Sequence, residues 1–162
     1  MMKIERGGNH SIFLASNGTV YHHGSSYSNY TADMEVPTQI SSSLKIRYVK
    51  CGESHCLAIG YNRKLYGWGD NSRGQLGHGM MIATSPSRLN ILRDYDIVDI
   101  DCGNNHSYCK TSDDQHWLFG DYYCNQCLDY RTERNYIREP NLITNILERK
   151  YVINSVRLGF EN

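Results

Sequence analysis

Gly7-Gly8-Asn9-His10-Ser11, Gly52-Glu53-Ser54-His55-Cys56 and Gly103-Asn104-Asn105-His106-Ser107 are one short phrase written three times. Each phrase is followed by a further glycine, and the steps from His10 to Gly24, His55 to Gly69 and His106 to Gly120 all span fourteen positions. The intervening residues differ almost completely, so a shared structural unit accounts for the spacing. An apolar residue stands three places before each opening glycine, at Ile4, Val49, Ile100 and again at Val156, where Gly159-Phe160-Glu161-Asn162 opens a fourth copy with Asn162 in the histidine's place. Successive glycines Gly7, Gly52, Gly103 and Gly159 lie 45, 51 and 56 residues apart, a period that marks propellers, solenoids and arrays. The units run over 1–48, 49–99 and 100–155, with 156–162 as the start of a truncated fourth.

Inside a unit the pattern is that of strands. Ser11-Ile12-Phe13-Leu14-Ala15 and Thr19-Val20-Tyr21-His22 flank Asn17-Gly18, a strong hairpin signal. The second copy places Asn62-Arg63 there and the third Asp113-Asp114, and Asn and Asp tolerate the left-handed conformation such turns need. The chain's three prolines, Pro37, Pro86 and Pro140, each precede an apolar residue by three positions. Each is expected to open a short outer strand, where a missing N–H does least harm. Residues 142–152 are the best helical candidate, but Ile143 and Tyr151 blur the stripe formed by Leu142, Ile146 and Leu147, so loop or one short helix is expected. Units of this length with about four strands each read as β-propeller blades, an all-β architecture of sheets packed face to face around an axis.

The stretch Leu65-Tyr66-Gly67-Trp68-Gly69-Asp70-Asn71-Ser72-Arg73-Gly74-Gln75-Leu76-Gly77-His78-Gly79, preceded by Cys51-Gly52-Glu53-Ser54-His55, closely resembles the regulator-of-chromosome-condensation repeat family. The outer copies resemble it less fully: His22-His23-Gly24-Ser25 and Leu118-Phe119-Gly120-Asp121 replace Gly-Trp-Gly-Asp, and neither keeps Gly-Gln-Leu-Gly. The resemblance implies a propeller of usually seven blades, of which this chain supplies about three. It is then a piece of a longer protein, one part of an oligomeric ring, or an incomplete gene product, with open blade edges available for self-association.

Composition narrows the setting. The net charge is zero and runs from about +2 over residues 1–50 to 0 over 51–100 and −2 over 101–162, which speaks against a strong nucleic-acid surface. No apolar run approaches the ~20 residues of a membrane span, and Met1-Met2-Lys3-Ile4-Glu5-Arg6 lacks the apolar stretch of a signal peptide. The expected location is intracellular, cytoplasmic or nuclear.

The candidate chemistry dissolves on inspection. His10-Ser11 and His106-Ser107 suggest base and nucleophile, but an active site needs one base, and a histidine recurring in every unit is what a buried hydrogen bond to a neighbouring loop requires. Cys124-Asn125-Gln126-Cys127 has metal-ligand spacing, yet it has no clean second pair, and Cys127 takes the place of apolar Leu76. Cys51 and Cys102 precede matched glycines, where a small buried residue fits. No metal, no cofactor and no catalytic residue is therefore expected, and the cysteines are expected to be free thiols in a reducing compartment. Gly67-Trp68-Gly69 lacks the third glycine and the following helix of a dinucleotide loop. Trp68 and Trp117 are not the clustered tryptophans of the family's plant ultraviolet-B photoreceptor, and packing between blades is their expected role.

Recognition is expected from the variable loops between the second glycine and the proline, where Tyr27, Tyr30, Tyr122 and Tyr123 supply contact area at small entropic cost. The leading expectation is a non-enzymatic interaction module presenting these loops to a protein partner. Two alternatives stand beside it: a guanine-nucleotide exchange factor for a small GTPase, as the resemblance implies, and a truncated product without independent activity.

Overall fold

The computed structural model describes residues 2–25, 34–78, 81–121 and 136–143. They form three antiparallel sheets of four strands, each in sequence order. The first sheet holds β1 (Met2–Arg6), β2 (His10–Ala15), β3 (Val20–Gly24) and β4 (Met34–Gln39). The second holds β5 (Ile46–Cys51), β6 (His55–Gly60), β7 (Leu65–Asp70) and β8 (Ile82–Arg88). The third holds β9 (Ile97–Cys102), β10 (His106–Thr111), β11 (His116–Asp121) and β12 (Tyr136–Leu142).

The central hairpin of each sheet turns through a left-handed residue at the same place, Gly18 (φ 81°), Arg63 (φ 60°) and Asp114 (φ 66°). The side-chain oxygen of Asn17 accepts the Thr19 N–H at 3.0 Å, and Asn62 accepts that of Lys64 at 3.2 Å. Copy two therefore departs from expectation. Its asparagine serves as acceptor, while the left-handed position falls one residue later, on an arginine, because the Arg63 N–H must reach back to the Gly60 carbonyl.

The prolines also sit differently from the sequence expectation. Pro37, Pro86 and Pro140 lie inside β4, β8 and β12. In each case the register breaks there: a two-residue step on the inner strand, such as Gly67 to Gly69, faces a four-residue step on the outer one, Ser87 to Ala83. The proline occupies the bulge so created on an edge strand, where no ladder partner waits for its missing N–H. The apolar residue three positions on then fastens the strand's end. The N–H groups of Ile40, Leu89 and Ile143 donate to the carbonyls of Val20, Leu65 and His116. Leu142 closes β12 and is not helical, and the rest of the helical candidate, 144–152, lies outside the described residues.

The sheets stack through alternating faces. His10, Ile12 and Leu14 of β2 and Val20 of β3 are buried toward the second sheet, whose Val49, Cys51, Cys56 and Ala58 face back. Leu57 and Leu65 continue the core toward Ile100 and Cys109 of the third sheet. Lys50 reaches Glu5 at 3.2 Å across the first interface. Backbone bonds repeat with the units: Ile46 N–H donates to the Gly18 carbonyl at 2.9 Å, and Ile97 N–H to the Arg63 carbonyl at 2.8 Å. The first strand of each later blade is thereby pinned to the hairpin of the blade before it.

One apolar position exposes the asymmetry of this array. Ile4, Val49 and Ile100 occupy the same place on β1, β5 and β9, but Val49 and Ile100 are 2% and 1% exposed while Ile4 is 58% exposed. Blades two and three each receive a preceding blade on that face. The corresponding face of blade one, with Met2, Ile4, Phe13 and Tyr21 on neighbouring strands, receives none among the described residues.

Candidate interaction face and the joints between blades

Both loop sets of interest emerge at one end of the sheets. The Gly...His phrases form the β1–β2, β5–β6 and β9–β10 turns, and Gly24, Gly69 and Gly120 pair directly with His10, His55 and His106. All three glycines have positive φ, between 95° and 105°. A Cβ on any of them would run into the carbonyl oxygen of Asn9, Ser54 or Asn105. The next residue then uses that carbonyl: Ser25, Asp70 and Asp121 donate their N–H groups to Asn9, Ser54 and Asn105 at 2.9, 2.9 and 2.8 Å. The fourteen-residue spacing is therefore the length of one hairpin, measured from histidine to the glycine opposite it.

The opening glycine has a separate reason. A Cβ at Gly7 or Gly52 would overlap the ring of His10 or His55 and crowd the carbonyl of Gly52 or Gly103 in the next blade. Glycine is required because the imidazole lies flat against the turn. Across these turns the backbone continues the chain of contacts, with Gly8 N–H on the Glu53 carbonyl at 2.9 Å and Glu53 N–H on that of Asn104 at 3.0 Å.

Each imidazole then bonds to the residue that follows the histidine of the next blade. His55 Nε2 lies 2.8 Å from Ser107 Oγ, and Ser107 in turn donates to the Gln75 carbonyl at 2.7 Å. Since the hydroxyl proton is committed to Gln75, the Nε2 of His55 carries the proton and donates. Burial holds the His55 pKa down to about 3, with His106 and His10 adding to the effect, so the ring is neutral near pH 7. At the first joint His10 Nε2 meets Cys56 Sγ at 3.2 Å, and Cys56 Sγ meets Cys51 Sγ at 3.1 Å. Burial lowers the His10 pKa to about 4, assisted by His22, whose ring stacks on it at 5.5 Å. These histidines are inter-blade joints, as the recurrence of the phrase suggests.

The β7–β8 loop is braced from within. Asp70 accepts from Ser72 N–H (3.0 Å), Ser72 Oγ (2.9 Å) and Gln75 Nε2 (2.9 Å), and Asn71 accepts the Leu76 N–H at 2.7 Å. Leu76 is fully buried, and Gly77 packs against Pro140 and Phe119 of the third blade. The loop's polar groups close on one another and leave Arg73 at the surface, where its guanidinium reaches Asp121 at 3.0 Å. That pair ties this loop to the root of the next one. Met81 and Ile82 beside it are exposed.

Tyr27, Tyr30, Tyr122 and Tyr123 lie outside the described residues, as do Cys124 and Cys127, although their loops leave the sheets at Ser25 and Asp121 on this same end. Trp68 is part of the buried core, and Trp117, packed against that core, tilts against Tyr95 at 5.6 Å. An open groove of about 640 Å³ between the outer strands is lined by Gln39, Ile40, Ser41–Ser43, Ser85 and Pro86, without carboxylate, thiol or imidazole. Sequence reasoning missed the trio of His10, Cys51 and Cys56, whose ligand atoms lie within 4.8 Å of one another. The signal was present: Cys51 and Cys56 flank one turn and sit opposite each other in the β5–β6 ladder.

Comparison with known proteins agrees with this architecture. A model described as the regulator of chromosome condensation (RCC1) repeat matches residues 64–109, and a second of the same description matches 46–75. The chain is 28% identical over 129 residues to the human probable E3 ubiquitin-protein ligase HERC6, and 34% identical over 135 residues to human HERC3, a probable E3 ubiquitin-protein ligase. These alignments take in 74% and 78% of the chain but 13% of each relative, so the chain spans about an eighth of their length. Among solved structures it superposes on yeast RCC1 (Prp20) bound to Kap60 with a TM-score of 0.76 at 23% identity, covering 98% of this chain and 39% of that one. A second structure, of Prp20p from Saccharomyces cerevisiae, described with its binding to Gsp1p and histones, gives a TM-score of 0.70 at 22% identity, covering 90% of this chain and 39% of that one. The superposition on Prp20 shows the propeller fold, and the two matches to the RCC1 repeat, which together take in residues 46–109, identify this as a chain of RCC1 repeats.

Proposed function

We propose that the chain is a non-enzymatic interaction module with two contact surfaces: the outward face of blade one, which takes a further blade, and the loop end, which takes a protein partner. The observation that carries the reading is the 58% exposure of Ile4 at a place where its counterparts Val49 and Ile100 are buried by a preceding blade. Burying such an apolar face is the dominant source of stability in stacked repeats, so the face is built for a blade supplied either by a longer polypeptide or by a second copy. The loop end supports the second surface, because its strands fix the loop roots while Arg73, Met81 and Ile82 stay exposed. Buried free thiols at Cys51, Cys56, Cys102 and Cys109 suit a reducing, intracellular compartment. No helix among the described residues is long and apolar enough to cross a membrane.

Light scattering over a concentration series tests the blade-one surface. The chain is expected to associate into a discrete dimer or trimer, and Ile4→Lys is expected to shift it toward monomer with an unchanged far-ultraviolet spectrum. A monomer at every concentration leaves a longer polypeptide as the source of the blade, and association indifferent to Ile4→Lys contradicts the reading. Guanine-nucleotide exchange on a small GTPase is the second reading, favoured by the fit to Prp20. It predicts faster release of a fluorescent nucleotide from a candidate GTPase, and no acceleration at micromolar chain rejects it.

A further inference from the structure

The two joints between blades are the same scaffold filled with different chemistry. At the second joint the three positions are His55, Cys102 and Ser107, with Cys102 opposite Ser107 in the ladder. There the hydroxyl accepts a hydrogen bond from the imidazole at 2.8 Å and donates one to the Gln75 carbonyl. At the first joint the same positions are His10, Cys51 and Cys56, with Cys51 opposite Cys56. A thiol is a weak donor and a weak acceptor, so two thiols satisfy a buried imidazole poorly. They are strong ligands for a soft cation.

We propose that His10 Nε2, Cys51 Sγ and Cys56 Sγ form a binding site for a divalent thiophilic ion, zinc in the first instance, that clamps blade one to blade two. The three atoms come from β2, β5 and β6, are buried, and lie within 4.8 Å of one another. The His10–Cys56 and Cys56–Cys51 separations of 3.2 and 3.1 Å are shorter than the edge of a tetrahedron with ~2.3 Å zinc–sulfur bonds, which is about 3.8 Å. The two edges that meet at Cys56 must lengthen by roughly half an ångström to admit the ion, a movement that side-chain torsions of the two cysteines supply. Charge favours a divalent ion. Two thiols release two protons as they bind, and two thiolates, a neutral imidazole and the ion then sum to zero, which a buried site requires. A monovalent ion would leave a net negative charge close to Glu5. The stacked His22 holds the plane of the His10 ring. Three protein ligands leave a fourth position for a non-protein ligand.

The second zinc candidate, Cys124-x-x-Cys127, makes a clean test possible. The reduced, chelator-treated chain is titrated with Co²⁺ for its thiolate charge-transfer band and with Zn²⁺ against a chromophoric chelator, in the parent and in a Cys124→Ser/Cys127→Ser background. One equivalent retained in that background is expected. Cys56→Ser, which copies the chemistry of the second joint and so preserves the fold, is expected to weaken binding by more than the ~100-fold typical of supporting residues. Ser107→Cys is expected to add a second equivalent, because His55 and Cys102 already stand in place. The proposal is overturned by the absence of a thiolate band in the parent, by binding that survives Cys56→Ser but not Cys124→Ser/Cys127→Ser, or by a Ser107→Cys chain that binds no additional ion.

Discussion

Replacing Ser107 by alanine isolates a single inter-blade joint. The hydroxyl of this fully buried residue accepts from His55 Nε2 and donates to the Gln75 carbonyl, at 2.8 and 2.7 Å. Alanine removes little volume but leaves an imidazole N–H and a carbonyl oxygen without this partner inside the stack. Each buried group so orphaned costs about 1–3 kcal/mol, so Ser107→Ala is expected to cost about 2–6 kcal/mol in all. Against a total stability of roughly 5–15 kcal/mol this is a large loss for one oxygen atom. Urea denaturation at pH 7, followed by tryptophan fluorescence and far-ultraviolet circular dichroism, measures it. His55→Ala completes a double-mutant cycle: without the imidazole, the serine change orphans only the Gln75 carbonyl and should cost about 1–3 kcal/mol, giving a coupling energy of about 1–3 kcal/mol. A Ser107→Ala loss within about 0.5 kcal/mol of zero, or strictly additive single effects, would refute the hydrogen-bonded joint.

Three further outcomes follow from the same geometry. Arg63→Gly should stabilise the chain by about 0.5–1 kcal/mol, because it relieves a left-handed arginine and gives up only a 3.9 Å contact with Asp96; a lower urea midpoint would count against the turn assignment. Gly69→Ala should destabilise by more than about 2 kcal/mol, since it meets both a φ of 103° and the Ser54 carbonyl, and wild-type stability in that variant would contradict the close pairing with His55. His55 has a folded pKa of about 3 against 6.5 in the unfolded chain, so the unfolded state binds the extra proton between those values. Its contribution is present above pH 6.5 and is lost as pH falls, by about 2 kcal/mol between pH 7 and pH 5. His55→Gln should remove that part of the slope, and an unchanged slope would show that His55 titrates normally.

Much of this fold was legible because the repeat records geometry that only certain residues permit. The glycine opposite each histidine marks a φ near 100°, and the opening glycine marks an imidazole lying on the turn. Both are steric facts that survive divergence of everything between them. The prolines were legible as outer-strand markers but not as bulge residues, because a bulge is a difference in register between two strands and one strand's sequence does not show it. Arg63 differs from its propensity for a related reason: the turn's hydrogen bond decides which residue turns left-handed, whereas propensity favours Asn62. The metal-ligand trio escaped the sequence because its histidine and cysteines lie more than forty residues apart and belong to different blades.

The measurement that bears most directly on the blade-docking claim is amide hydrogen exchange, read by mass spectrometry on the chain at low and at high concentration. Docking of a further blade on the open face predicts that concentration slows exchange in β1 and β2, while β5, β6 and β9, already enclosed by their neighbours, change little. Protection that grows elsewhere and spares β1 and β2, or does not depend on concentration while the mass rises, would contradict it.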